Sequence, residues 1–427
     1  MLDIRMIRDD PDLVRLRLAS RGKPELAAQV DEVLRLDEAR RTLVAEVDGL
    51  RAHRNEVSPR VGKLKQEGRD VEAEPLILEM RQLGERMSEL ESRRGAVEAA
   101  VQDLLLQLPN LPEAEVPPGG EADAKLVREW GETPELPAEP RPHWEIGESL
   151  GLLDLPRGTK VAGSGFPVYV GAGARLVRAL IGFMLDLHTR EHGYTEVSPP
   201  FVVNEQSALG TGHLPKFGED MYYVPEDGLY LIPTAEVPVT NLLAGELLAP
   251  DAVPQRYVAY TPCFRREAGA HGKDTRGILR VHQFDKVELV RFERPEHGRS
   301  ALEELTSHAE AVLRQLELRY RVILLAGGDL GFANAMTYDL EVWAPGVGRW
   351  LEVSSCSLYT DYQARRAGIR FRRAPGAKPE YVHTLNGSGL ALPRTLVALL
   401  EAGQQADGGV RLPAAIAEYL GTDRLGP

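Results

Sequence analysis

The 427-residue sequence is poor in cysteine, in aromatic residues and in net positive charge. Its two cysteines, Cys263 and Cys356, are far apart and belong to no Cys-x-x-Cys or Cys/His cluster, which excludes a disulfide framework and a structural zinc site. Lys and Arg number 51 against 64 Asp and Glu, for a net charge of −13. That balance excludes a general nucleic-acid binder, whose affinity comes from neutralising phosphates; any RNA contact must lie on a local basic patch. No run approaches the roughly 18 to 20 apolar residues of a membrane helix. Met1 to Asp10 mixes charges with isolated apolar residues where a secretory signal would have an apolar centre, so an intracellular, cytoplasmic protein with no membrane partner is expected. Neither a P-loop nor a Gly-x-Gly-x-x-Gly element occurs, so neither phosphate cradle explains any nucleotide use.

What is present begins with heptads. Leu36, Leu43, Leu50, Val57 and Leu64 recur every seventh residue, interleaved with Val33, Val47 and Val61. A second series, Leu76, Leu83, Leu90, Val97 and Leu104, is accompanied by Met80, Met87, Val101 and Leu108. Each is the seam of a coiled coil, and the short polar connection marked by Gly62, Gly68 and Pro75 predicts an antiparallel hairpin with Pro75 in the first turn of the second helix. Arms of roughly 33 to 35 residues would reach about 50 Å, more than a compact domain needs. Toward the distal end Arg51, Arg54, Arg60, Lys63 and Lys65 face only Glu56. That stretch reads either as a solvated helix face or as a probe for an elongated polyanion such as RNA.

The domain boundaries expected are 1–110 for the hairpin, 111–145 for a linker rich in Pro, Gly and acids, and 146–427 for the remaining domain. In that last part a helical pattern at 175–192 precedes strand-like runs at 257–260, 281–290, 321–325, 337–343 and 350–354, and a closing helix near 390–402. Adjacent strands without regular βαβ alternation predict an α+β fold with a largely antiparallel sheet.

Phe264-Arg265-Arg266-Glu267-Ala268-Gly269, Gly272-Lys273-Asp274-Thr275-Arg276-Gly277 and Arg280-Val281-His282-Gln283-Phe284-Asp285-Lys286-Val287-Glu288 together resemble motif 2 of class II aminoacyl-tRNA synthetases in its seryl-specific form. Asn386-Gly387-Ser388-Gly389-Leu390-Ala391 with Arg394 is similar to motif 3, and the helix ending at Gly193-Tyr194 with the strand reaching Pro200 is similar to motif 1. Gly210-Thr211-Gly212-His213-Leu214-Pro215, Thr234-Ala235-Glu236 and Glu352-Val353-Ser354-Ser355-Cys356-Ser357 extend the resemblance to the seryl subgroup.

The chemistry such a site must perform suits these residue types. Attack of a carboxylate on an α-phosphate brings two anions together, so fixed cations and a divalent metal are needed. The resemblance implies that Arg265 holds the α-phosphate and the serine carboxylate, and that Arg394 stacks on adenine and reaches the γ-phosphate. It places Arg266, Glu267, Val281, Phe284, Val353 and Ser354 at the ATP. Glu352 and Ser355 are implied as Mg²⁺ and phosphate ligands, and Glu352 joins the two arginines as catalytic. L-Serine is assigned to Thr234, Ala235, Glu236, Arg265, Glu288, Asn386 and Ser388. A buried site that satisfies a hydroxyl rejects analogues lacking it by about 10⁴ in comparable cases.

The function implied is ATP-dependent activation of L-serine and its transfer to the 3′ end of tRNA(Ser), extending to tRNA(Sec). A homodimer is implied, with the hairpin reaching tRNA bound by the partner subunit. An amino-acid ligase acting on a carrier protein is one alternative, and a noncatalytic RNA-binding relative is another; the first should lack the hairpin, the second should have lost Arg265, Glu267, Glu288, Glu352 or Arg394. The pattern departs from the family at Arg266, Gly165 and Ala402-Gly403.

Overall fold

In this computed structural model, which describes residues 1–268 and 276–426, the heptads form two long helices, α1 (Glu25–Gln66) and α2 (Asp70–Gln107). Gly269 to Thr275 of the motif 2 segment lie outside the described residues. The chain divides into two units: residues 2–19 with 23–108, and Met1 with 20–22 and 109 onward.

In the first unit, Leu43, Val47 and Leu90 bury against one another with Leu50 and Val97 at the edge. Each fully buried Leu or Val is worth about 1.5–3 kcal/mol. The helices run to 42 and 38 residues, longer than the heptads alone predict, because the turn needs only Glu67 to Arg69. Gly68 is in the left-handed region at φ 70°, the Gly68 amide donates to the Lys65 carbonyl (3.2 Å) and the Arg69 amide to the Leu64 carbonyl (2.9 Å). This is the six-to-one and five-to-two closure that a glycine after a helix permits. Gly62 therefore lies inside α1, and Pro75 falls in the second turn of α2, where its missing N–H forfeits one bond to Val71. Arg40, an interruption of the seam, is held by the buried Asp37 at 2.7 Å.

The second unit is built on an eight-stranded sheet. Its strands are β1 (Lys125–Trp130), β2 (Thr195–Glu196), β3 (Gln255–Phe264), β4 (Gln283–Glu293), β5 (Tyr320–Leu324), β6 (Met336–Ala344), β7 (Arg349–Thr360) and β8 (His383–Ala391). Their order is β1-β5-β6-β7-β8-β4-β3-β2, and every neighbouring pair is antiparallel except β3 with β2. The helices α3 (Ala172–Arg190), α4 (Gly298–Gln315) and α5 (Leu392–Ala402) share one apolar core with the sheet, and Leu180, Leu305 and Val397 are within it. Close approach explains the motif 3 glycines: a Cβ on Gly387 would lie 2.5 Å from Leu305 of α4, and one on Gly389 would lie 2.6 Å from His188 of α3.

The segment expected as a linker is not unstructured throughout. Residues 125–130 form β1, paired with β5 at the sheet edge, and Leu111 and Val116 are buried. Pro and Gly exclude a continuing helix, but they do not exclude an edge strand between them. Among the described residues no helix is long and apolar enough to cross a membrane.

Candidate functional site

Strand periodicity builds the site. Phe284, Lys286 and Glu288 alternate along β4, and Ser355, Ser357 and Tyr359 alternate along β7, so each set projects from one face of the sheet. Register completes the floor, because Ser388 of β8 is opposite Glu288 and Asn386 is opposite Ser357. Between Glu352 and Ser354 the pairing of β7 with β6 shifts by one residue, leaving Val353 extra. That bulge lets Glu352, Val353 and Ser355 all face the same cavity.

The cavity, about 250 Å³, is many times what one water occupies. Arg265, at the end of β3, and Arg394, on the first turn of α5, both line it. So do Thr234, Glu236, Glu267, Val281, Phe284, Glu288, Glu352, Val353, Ser355, Asn386 and Ser388. Three of the expected residues do not. Ala235 is buried in an apolar cluster with Val239 and Leu243. Ser354, facing the opposite way from Ser355, donates through Oγ to the Ser388 carbonyl at 2.7 Å. Arg266 is exposed outside the cavity, its amide donating to the Asp220 carbonyl at 2.9 Å. Only Ser354 is on a strand, where it faces away from Ser355; Ala235 caps a short helix and Arg266 follows the end of β3.

Sequence reasoning did not assign roles to His213, Arg280, Lys286, Asn334, Ser357 or Tyr359, all of which line the cavity. Lys286 could have been found: it is two residues before Glu288 on the same strand face, within the motif itself. Asn334 and Tyr359 had no local signal.

The charges sort into pairs with two exceptions. Lys286 Nζ is 2.6 Å from Glu288 and donates to Thr234 Oγ1 at 2.9 Å. Arg280 meets Glu267 at 2.5 Å; Glu267 itself is in the left-handed region at φ 52°. Arg394 is 3.6 Å from the Glu352 carboxylate. Among the described residues Arg265 has no carboxylate partner; its guanidinium lies 5.1 Å over the Phe284 ring and its Nε donates to the Pro233 carbonyl at 3.4 Å. Among the described residues Glu236 is in no ion pair; it is held by neutral groups, Gln363 Nε2 donating at 2.6 Å with Asn386 and Tyr359 beside it. An unspent guanidinium and an unspent carboxylate in one cavity suit a zwitterionic amino acid beside a polyanion.

Burial raises the pKa of Glu236, which Gln363 and Lys286 oppose, and burial likewise raises that of Glu288 against the pull of Lys286. His213 is held down to about 3 by burial and by the cations Arg265 and Lys286, so its ring is neutral.

Glu352 Oε1 accepts from Ser355 Oγ at 3.2 Å, giving two hard oxygen donors side by side with Glu352 nearly half exposed. Among the described residues no group of three or more His, Cys, Asp or Glu is arranged to hold a metal. Two chain oxygens fit Mg²⁺, which takes its remaining ligands from phosphate and water.

Residues 1–112 match the family described as seryl-tRNA synthetase N-terminal domain, and residues 222–403 that described as tRNA synthetase class II core domain (G, H, P, S and T). A serine–tRNA ligase of Gemmatimonas aurantiaca is 56% identical over 423 residues, covering 99% of both chains. The crystal structure of seryl-tRNA synthetase from Pyrococcus horikoshii complexed with ATP matches with a TM-score of 0.95 and 39% identity over 100% of both chains. The cytoplasmic serine–tRNA ligase from Naegleria fowleri in complex with AMP matches at 0.89 and 28% identity, over 100% of this chain and 98% of that one.

Proposed function

The chain belongs to the seryl-tRNA synthetase family, and from that premise we propose how its cavity activates L-serine with ATP and passes it to tRNA(Ser). The observation that carries the assignment of roles is that Arg265 and Arg394, 129 positions apart in sequence, line one cavity in which, among the described residues, Arg265 has no anionic partner. In the activation step a serine carboxylate oxygen bonds to the α-phosphorus while the bond to the bridging oxygen breaks and pyrophosphate leaves. Arg265 lies between the two anions and offsets their repulsion; Arg394, held by the Glu352 carbonyl, presents a planar cation to the nucleotide, a use lysine cannot match.

Phe284 offers a face for the adenine, and Glu267 accepts from its amino group once Arg280 yields. Glu236 binds the serine ammonium. Glu288, fixed by Lys286, and Ser388, whose Oγ is 3.5 Å from Glu288, bound the space for the serine hydroxyl. Glu352 and Ser355 would hold Mg²⁺, which would supply charge neutralisation at the phosphates. In transfer, the terminal ribose hydroxyl bonds to the seryl carbonyl carbon and AMP departs.

The proposal includes a homodimer working in the cytoplasm, the hairpin cations Arg51, Arg54, Arg60, Lys63 and Lys65 on the tRNA backbone, and tRNA(Sec) as a second acceptor. Serine-dependent exchange of pyrophosphate into ATP tests the substrate choice, with threonine, alanine and cysteine as competitors. Exchange supported by serine alone is expected; comparable exchange with any of the others would refute the assignment of the hydroxyl subsite.

A further inference from the structure

The loop between β5 and β6 is irregular, yet every carbonyl from Leu330 to Asn334 accepts from one of two residues far away in sequence. Arg21 donates to the carbonyls of Leu330 (3.1 Å), Gly331 (3.2 Å) and Asn334 (2.5 Å). Asn110 donates through its amide to the Phe332 carbonyl at 2.9 Å and through Nδ2 to the Ala333 carbonyl at 2.9 Å. The two are joined, because Arg21 Nε donates to the Asn110 carbonyl at 2.9 Å. Both side chains are buried. Buried carbonyls outside helices and sheets need donors from elsewhere, and a guanidinium, with five N–H groups in a fixed fork, can serve several at once.

The loop carries this order into the activation cavity. Asn334 lines the cavity, and its Nδ2 donates to Ser357 Oγ and Thr337 Oγ1 at 2.8 Å each, the two hydroxyls being 2.9 Å apart. Asn110 Nδ2 also donates to the Tyr359 carbonyl at 2.7 Å, and Tyr359 Oη donates to Asn386 Oδ1 at 3.1 Å. Ser357, Tyr359 and Asn386 all line the cavity, and Asn386 is beside Glu236. The bonds that start at Arg21 therefore end on residues assigned to serine.

Arg21 is an expensive way to hold a loop. Among the described residues it has no carboxylate partner, and burial lowers its pKa to about 10, so it remains a cation held by carbonyl dipoles. A buried charge of this kind costs stability, and fixing one geometry of the loop accounts for it. We propose that Arg21 is a positioning residue for the serine subsite, acting through the loop 330–334 and Asn334 on Ser357. This deepens the reading of the previous subsection and rests on it.

The test is a double-mutant cycle in the full chain with Arg21→Lys and Asn334→Ala, read by KM for serine in pyrophosphate exchange, by equilibrium binding of Mg²⁺·ATP and by thermal unfolding. Lysine keeps the charge but not the fork that spans three loop carbonyls. Each change should raise KM for serine roughly five- to tenfold, the scale of one hydrogen bond, and leave Mg²⁺·ATP affinity within about twofold. Together they should raise KM no more than about twofold beyond either alone, because one acts through the other. An unchanged KM in Asn334→Ala overturns the proposal, and since that variant disturbs no buried charge, it decides the matter even where Arg21→Lys does not unfold cooperatively. Effects that multiply, or an equal loss of serine and ATP affinity, overturn it as well, by making Arg21 a general support of the fold. A wild-type chain that exchanges no pyrophosphate with serine would instead sink the functional reading beneath it.

Discussion

Arg394 Nη1 donates to the Glu352 backbone carbonyl at 2.8 Å and is 3.6 Å from the Glu352 carboxylate, while Arg394 Nε donates to the Leu279 carbonyl at 3.2 Å. The guanidinium is thus positioned before any nucleotide binds, and the glutamate that anchors it through its carbonyl also places its carboxylate beside the Ser355 hydroxyl.

Glu352→Gln keeps the carbonyl anchor and removes only the carboxylate charge. The expected outcome is a fall of about 100-fold in adenylate formation, together with a rise in the Mg²⁺ needed for half-maximal exchange. An unchanged Mg²⁺ dependence would show that this carboxylate holds no metal.

Burial raises the pKa values of both Glu236 and Glu288, so these carboxyls take up protons at a pH where exposed carboxylates remain charged. Serine's ammonium then loses its partner, and KM for serine should rise on the acid side before kcat changes. The stability contribution has the opposite sign: a carboxyl with a raised folded pKa stabilises the fold below its unfolded value, and that contribution is lost as pH rises through the folded one. Glu236→Gln should raise KM at neutral pH and flatten its acid-side dependence. A KM profile identical to the wild type's would remove Glu236 from the serine site.

The arm has a core of few residues, so each one matters. Leu90→Ala should cost about 2–5 kcal/mol, seen as an early calorimetric transition of the full chain. Deleting residues 33–108 should spare serine-dependent pyrophosphate exchange and abolish transfer to tRNA. Equal loss of both steps would argue against a recognition arm.

The distal cations are not equivalent. Arg51 is 2.6 Å from Glu91 of the opposite helix, and Lys63 is 3.9 Å from Glu67, whereas Arg54, Arg60 and Lys65 are exposed and form no ion pair among the described residues. Neutralising those three together should lower the slope of log affinity for tRNA against log salt by roughly 2 to 3, one phosphate contact each. Arg51→Ala should change the slope less. A triple variant with the wild-type slope would place the RNA elsewhere.

Features set by local pattern were legible in the sequence. The heptads gave the paired helices, and the alternation at 281–290 and 337–343 gave strands β4 and β6. What was not legible came from register between distant strands. Tyr359 Oη donates to Asn386 Oδ1 at 3.1 Å because β7 pairs with β8, and no sequence spacing encodes that pairing. The same holds for Ser354: its expected place at the nucleotide follows from adjacency in a motif, but a one-residue bulge decides which neighbours face the cavity. The edge strand at 125–130 was hidden by its Pro- and Gly-rich surroundings and by its exposed Leu126 and Val127.

The central claim is that two guanidiniums from distant segments act on one triphosphate. Equilibrium binding of Mg²⁺·ATP to the wild type, Arg265→Ala, Arg394→Ala and the double variant tests it directly. Each single change should weaken binding by roughly 10- to 100-fold, the scale of a charge-assisted hydrogen bond of about 1.5–3 kcal/mol. Wild-type affinity in either single variant would contradict the account.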